Sequence, residues 1–109
     1  MRFSFLDMAI AGAAAVVFFM AGQASANDAD KIANAKGCMA CHALDKKLVG
    51  PSFKDVAKKY NGNAKAQADL EKKVIDGGSG VWGPIPMPPH KGKVSDSEAK
   101  TLVQWVLAQ

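Results

Sequence analysis

The amino-acid sequence predicts an all-α domain of four short helices joined by irregular segments. Apolar residues recur at helical spacing in four places, and glycines or a serine cap mark ends of these segments. No run of alternating apolar and polar residues indicates a strand, and no repeat or second domain is evident. With 109 residues in all, the chain is expected to form one domain.

The first two helices are predicted on either side of a segment that contains two cysteines. The first covers residues 28–37, with Ile32 and the alanines on its apolar side. The second covers residues 53–60, "FKDVAKKY", in which Phe53, Val56 and Tyr60 belong to one i, i+3, i+4, i+7 stripe. Both segments therefore present a single apolar face.

The last two helices have clear terminal signals. The third covers residues 66–76 and is ended by the glycines at 77 and 78. The fourth starts at Ser95, where "SDSE" predicts a capping box because Glu98 lies three residues after the capping serine. Residues 77–94, between these helices, form a connection long enough to indicate a functional loop. Residues 44–52 form a second irregular stretch.

Residues 1–26 have the composition of a secretory signal peptide. Arg2 follows the free amino group, residues 8–22 carry no charge, and "ASA" at 24–26 provides an A-x-A cleavage site. The uncharged run is shorter than the roughly 20 apolar residues that a bilayer-spanning helix needs. We therefore expect cleavage after Ala26, a single mature domain at residues 27–109 and no stable membrane anchor. An uncleaved anchor is the alternative.

The mature chain is basic without a concentrated basic patch. Removal of Arg2 and Asp7 leaves 13 lysines and 9 acidic residues, a net charge of +4. The lysines are scattered and no arginine remains, so nucleic-acid binding is disfavoured. An acidic protein partner fits this charge better.

The two cysteines lie in "CMACH", residues 38–42, which is the C-x-x-C-H signature of c-type haem attachment. Residues i, i+3 and i+4 of a helical turn lie on one side. Cys38 and Cys41 can therefore add to the two vinyl groups of one porphyrin while His42 binds its iron. A buried porphyrin would also provide apolar surface to a domain whose own core is small. Ten residues are candidates to pack around it: Phe53, Val56, Tyr60, Leu70, Val74, Ile75, Trp82, Ile85, Leu102 and Trp105.

The cysteine pair allows three other interpretations. A thioredoxin-like C-x-x-C motif needs a βαβ context, which the sequence lacks. A zinc site needs four ligands, and Cys38, Cys41, His42 and the distant His90 could supply them. A plain disulfide is the default for an exported protein, although a bridge that closes so short a loop would stabilise little.

The loop "WGPIPMPPHKG", residues 82–92, holds the candidates for a second axial ligand. Met39 lies in the attachment turn on the same side as His42, which leaves Met87, His90 or an open site. The prolines fix φ near −65° and hold the residues before them extended, so they favour Met87. A thioether ligand raises the reduction potential, and two filled axial positions favour outer-sphere electron transfer. A proline-rich ligand for a partner domain is the alternative use of this loop.

Four segments, "GCMACH", "VGPSFKDVA", "GVWGPIPMPP" and "VSDSEAKTLVQWVL", resemble the short bacterial class I cytochromes c of the c-551 type (the cytochrome c8 family). The resemblance implies four short helices around one covalently bound haem c, with His42 and Met87 as axial ligands. It also implies that the Pro51 carbonyl accepts a hydrogen bond from His42, a tuning contact. Trp82 and Lys73 would contact the haem propionates, with Lys73 in place of an arginine.

The resemblance further implies a monomeric periplasmic one-electron carrier of a Gram-negative respiratory chain, and not an enzyme. It would pass electrons between respiratory complexes and a terminal reductase or oxidase, for example nitrite reductase. His90 departs from the family, which often has an asparagine there that contacts the methionine ligand. Two alternatives remain: a haem enzyme or gas sensor with an open sixth site, and a thiol oxidoreductase. A basic rim that steers acidic redox partners is expected from six lysines: Lys46, Lys47, Lys54, Lys58, Lys91 and Lys93.

Overall fold

A computed structural model describes residues 26–109 of the chain, so the predicted signal peptide lies outside the described residues except at its last position. The described part contains four α-helices, as predicted, and a short 3₁₀ helix at Cys38–Ala40. The α-helices are α1 (Ala26–Ala35), α2 (Phe53–Lys59), α3 (Ala66–Asp76) and α4 (Asp96–Leu107). Within residues 26–109 no helix has the length and apolar character needed to cross a membrane.

Helix α1 ends earlier than the sequence prediction, and its last turn shows why. The prediction extended this helix to Gly37, but Gly37 has φ 79°, in the left-handed region. A residue in this conformation turns the chain out of the helical path, and glycine adopts it readily because it has no Cβ. The turn at Gly37 leads directly into the cysteine motif.

Helix α4 forms the centre of the packing, since α1, α2 and α3 all contact it. The buried cluster contains Ala33 of α1 and Ala99 of α4, both fully inaccessible to solvent, together with Val94 and Leu102. Two alanines facing each other allow the two helices to approach closely, since interaxial distance follows side-chain size. The core therefore lies where α1 crosses α4, to one side of the region that holds the cysteine motif.

Serine caps fix the starts of two helices. The capping box predicted for α4 is confirmed: Ser95 Oγ accepts from the Glu98 backbone N–H at 3.1 Å, and Glu98 Oε1 accepts from the Ser95 N–H at 3.0 Å. Ser52 caps α2, because its Oγ accepts from the Asp55 N–H at 3.1 Å and its side chain is buried. Such caps satisfy backbone donors that a helix N-terminus leaves unpaired.

Candidate haem-binding site

A cleft of about 430 Å³ lies between the cysteine motif, helix α2 and the loop of residues 77–94. All seven residues that were predicted to hold the cofactor line this one cleft: Cys38, Cys41, His42, Pro51, Lys73, Trp82 and Met87. Eight of the ten predicted packing residues line it as well. The other two, Ile75 and Trp105, pack against the buried cluster of α1 and α4 instead. The fold thus joins segments that are far apart in the sequence.

The ring of His42 is oriented by a hydrogen bond to the backbone. Its Nδ1 lies 2.7 Å from the carbonyl oxygen of Pro51. A carbonyl oxygen can only accept, so Nδ1 carries the proton and donates it. In the neutral imidazole the lone pair is then on Nε2, the nitrogen free to bind a metal. The contact expected for Pro51 is therefore present.

Gly50 lets the backbone pass directly against the His42 ring. A Cβ at position 50 would lie 2.5 Å from His42 Cε1 and 2.9 Å from its Nδ1, distances that no side chain could occupy. The Gly50 N–H also donates to the Cys41 carbonyl at 2.8 Å, which ties this segment to the cysteine motif. Sequence reasoning missed this role, although the glycine in "VGP" precedes the proline that was singled out.

Met87 is fixed through its backbone. Gly78 and Met87 exchange two hydrogen bonds, from the Gly78 N–H at 3.0 Å and from the Met87 N–H at 2.8 Å. Three residues later, the His90 N–H donates to the Val74 and Ile75 carbonyls at 3.1 and 3.2 Å, at the C-terminal end of α3. The loop is therefore attached at the methionine itself, to a residue just beyond α3, and again three residues later, to α3.

Cys38 and Cys41 lie on a tight turn. The Cys41 and His42 N–H groups both donate to the Cys38 carbonyl, at 3.2 and 3.0 Å. Both cysteines are free thiols and partly buried. Burial raises the pKa of the Cys38 thiol above its ordinary value, which opposes formation of the thiolate that a thiol oxidoreductase needs. Residues 26–109 contain no group of three or more His, Cys, Asp or Glu side chains suited to a metal ion, so the zinc interpretation finds no support.

Two lysines lie beside residues that line the cleft: Lys59 beside Trp82, and Lys73 beside Gly78. The Lys59 Nζ lies 5.3 Å from the centroid of the Trp82 ring, a cation–π contact. The Lys73 Nζ packs against Gly78, where a Cβ would come within 2.9 Å of it. Both cations suit the carboxylates of a bound ligand. His90 also lines the cleft, and its Nδ1 is buried with no hydrogen-bond partner among the described residues.

These residues fit a covalently attached haem. The two thiols share a turn with an imidazole whose Nε2 lone pair is free, a thioether lines the same cleft, and the walls are largely apolar. Together with the four helices, this donor set defines a class: small all-α proteins that attach one haem through C-x-x-C-H. The chain belongs to the cytochrome c family, since the family model described as "Cytochrome c" matches residues 26–109.

Named relatives support the same assignment. Cytochrome c-551 of Pseudomonas aeruginosa is 53% identical over 90 residues, which cover 83% of this chain and 85% of that protein. Cytochrome c-552 of Hydrogenobacter thermophilus is 49% identical over 104 residues, 95% of each chain. The crystal structure of wild-type Nitrosomonas europaea cytochrome c552 matches with a TM-score of 0.69 and 46% identity, and the match covers 72% of this chain and 96% of that one.

The family assignment settles the fold and the cofactor. The protein has a class I cytochrome c domain with four helices. It binds one covalent haem c, for which Cys38, Cys41 and His42 supply the C-x-x-C-H arrangement. It is accordingly a monohaem electron carrier.

Proposed function

We propose that this protein is a periplasmic one-electron carrier in which His42 and Met87 are the axial ligands of the haem iron. One observation carries the proposal: both residues line the same cleft, and the Pro51 carbonyl holds the His42 proton on Nδ1, so that Nε2 is free to bind iron. When bound, the haem supplies an iron that gains and loses one electron reversibly.

Each of the remaining site residues has a separate task in this proposal. Cys38 and Cys41 form the two thioethers, which prevent loss of the cofactor. Lys73 and Trp82 contact the carboxylate groups of the porphyrin, and the Lys59 ammonium group restrains the Trp82 ring by its cation–π contact with the ring face. Met87 provides a soft thioether, which raises the reduction potential. The apolar walls of the cleft also raise the reduction potential, since they disfavour the additional positive charge of the oxidised state.

We propose a carrier rather than an enzyme because two protein ligands leave no axial position for a substrate. Electrons then enter and leave by outer-sphere transfer. His90, which also lines the cleft, is the best candidate for a reactive group in an open-site enzyme or sensor, and its backbone N–H is bonded to the end of α3.

We also propose export, a monomeric state and acidic redox partners. Helix α1 begins at Ala26, so cleavage after that residue leaves the helix nearly whole. All six lysines of the expected rim are exposed, and Lys47 lines the cleft itself. The partners in this proposal are respiratory complexes as donors and a terminal reductase or oxidase, such as nitrite reductase, as acceptor in the periplasm of a Gram-negative bacterium.

Absorption spectra of the haem-loaded protein test the ligand set. The oxidised wild type should show the weak far-red band that a thioether ligand gives ferric haem, and the haem should resist acid extraction. Met87→Ala should abolish the band, while the matched variant His90→Gln should retain it. A high-spin wild type would favour the open-site alternative, and loss of the band in His90→Gln alone would show that Met87 is not the ligand.

A further inference from the structure

We propose that Phe53 is a positioning residue that sets the plane of the His42 ring, and that Trp105 holds Phe53 in this position. The inference rests on the proposed role of His42 as an iron ligand. It adds a side chain on α2 and another on α4 to the groups that control the metal.

The contact between the two rings is close and nearly parallel. The ring centroids of His42 and Phe53 are 5.1 Å apart, and the ring planes make an angle of 22°. Phe53 is only 6% exposed, so its ring has little freedom to move away. Stacking at this distance is within the range in which aromatic rings attract one another.

The hydrogen bond to Pro51 cannot fix the His42 ring by itself. It constrains one N–H direction, while coupled changes in the two side-chain torsions of His42 can still tilt the ring plane. A flat neighbour that covers the ring removes this freedom. Phe53 supplies the flat surface, and Gly50 allows the backbone to close against Cε1 and Nδ1. The orientation of the imidazole plane therefore depends on packing as well as on hydrogen bonding.

Phe53 is itself attached to the segment that follows His42. Its N–H donates to the Ala43 carbonyl at 2.9 Å, and the next N–H, of Lys54, donates to the Leu44 carbonyl at 3.0 Å. Phe53 is also the first residue of α2, directly after the Ser52 cap. The backbone beneath the Phe53 ring is thus fixed relative to the backbone of the histidine.

Trp105 completes the arrangement from α4. Its ring centroid lies 5.4 Å from that of Phe53, with an angle of 68° between the planes, an edge-to-face contact. This geometry is a preferred one for aromatic pairs. Because Trp105 also packs against the buried cluster of α1 and α4, a continuous aromatic series connects the core to the iron ligand.

Three variants of the haem-loaded protein test the proposal. Phe53→Leu keeps an apolar side chain and removes the flat ring, while Phe53→Tyr keeps the ring. Val94→Ala is the matched control, since Val94 is also buried, at 4% exposed, but belongs to the cluster of α1 and α4 and does not line the cleft. The readouts are the ferric EPR line widths and the paramagnetically shifted haem methyl signals in NMR, with thermal unfolding measured in parallel.

We expect Phe53→Leu to broaden the ferric EPR lines and change the methyl shift pattern, because the ligand ring then samples several orientations. Phe53→Tyr should keep the wild-type pattern, and Val94→Ala should lose stability without changing that pattern. If Phe53→Leu loses stability but keeps wild-type line widths and shifts, Phe53 is core packing and the proposal is wrong. A wild type without signals of a histidine-ligated low-spin haem would refute the ligand assignment instead.

Discussion

The backbones of Gly78 and Met87 form a reciprocal pair of hydrogen bonds, at 3.0 and 2.8 Å, within the 77–94 loop. The prolines around Met87 stiffen the loop, as the sequence suggested. The pair adds a fixed attachment to the end of α3. The position of the proposed sulfur ligand thus depends on Gly77 and Gly78, two residues whose sequence signal predicted only a helix stop.

Replacement of Gly77 by alanine should displace the methionine. A Cβ there would lie 2.5 Å from the Met87 carbonyl oxygen, and Gly77 also has φ 70°. Gly92→Ala is the matched control, because Gly92 has φ 83° but no atom within 4 Å of its Cβ position. Both variants should lose roughly 1–3 kcal/mol of unfolding free energy, because both glycines have a positive φ that other residues rarely adopt. Only Gly77→Ala should also weaken the far-red thioether band, and equal spectra for the two variants would contradict this.

Gly50→Ala should separate the His42 ring from Pro51. The new methyl group would overlap the ring, and a lost hydrogen bond costs roughly 0.5–1.5 kcal/mol of stability. Donation from Nδ1 makes an imidazole a stronger electron donor, so its loss should raise the reduction potential. Redox titration and chemical denaturation measure the two effects. Leu48→Ala, two residues away and exposed, is the control that should change neither. An unchanged potential in Gly50→Ala would show that the hydrogen bond survives.

The sequence predicted those parts of the molecule that depend on local spacing. Helical periodicity located the four helices of residues 26–109, and "SDSE" located the cap of α4. The C-x-x-C-H motif and the isolated methionine identified the residues that the cleft brings together. Each of these signals lies within a few consecutive residues, which is why a single sequence contains it.

The features that the sequence did not predict depend on the path of the chain. Phe53 stacks on His42, eleven positions away, and Trp105 reaches Phe53 from another helix. Gly50 is required because the backbone passes close to the His42 ring. Lys59 contacts Trp82 because α2 lies beside that tryptophan. No spacing rule connects these pairs, since they follow from how the segments pack against one another.

A charge reversal at Lys47 should slow electron transfer to an acidic partner. Lys47 is the exposed rim lysine that lines the cleft, so it lies close to the proposed haem. Lys47→Glu should lower the second-order rate constant of electron transfer most at low salt. The decrease should be smaller at ionic strengths of about 0.1 M and above, where the Debye length is about 10 Å or less. Lys100→Glu on α4, which does not line the cleft, makes the same change in net charge and serves as the control. Equal slowing by both variants would indicate a net-charge effect without a docking site at the cleft.

The capping box of α4 should make stability depend on pH in the acid range. The pKa of Glu98 is lowered, chiefly by the hydrogen bond that it accepts from the Ser95 N–H and to a lesser degree by Lys36, whose Nζ lies 3.9 Å away. A carboxyl with a depressed folded-state pKa stabilises the fold above its unfolded pKa, and this contribution disappears as pH falls through the folded value.

Glu98→Gln should therefore lower Tm at neutral pH and approach the wild type in acid, as measured by circular dichroism. Lys36→Gln should retain most of the pH dependence, because the backbone hydrogen bond is the larger cause. A Tm difference between wild type and Glu98→Gln that is constant with pH would show that the charge of Glu98 does not contribute.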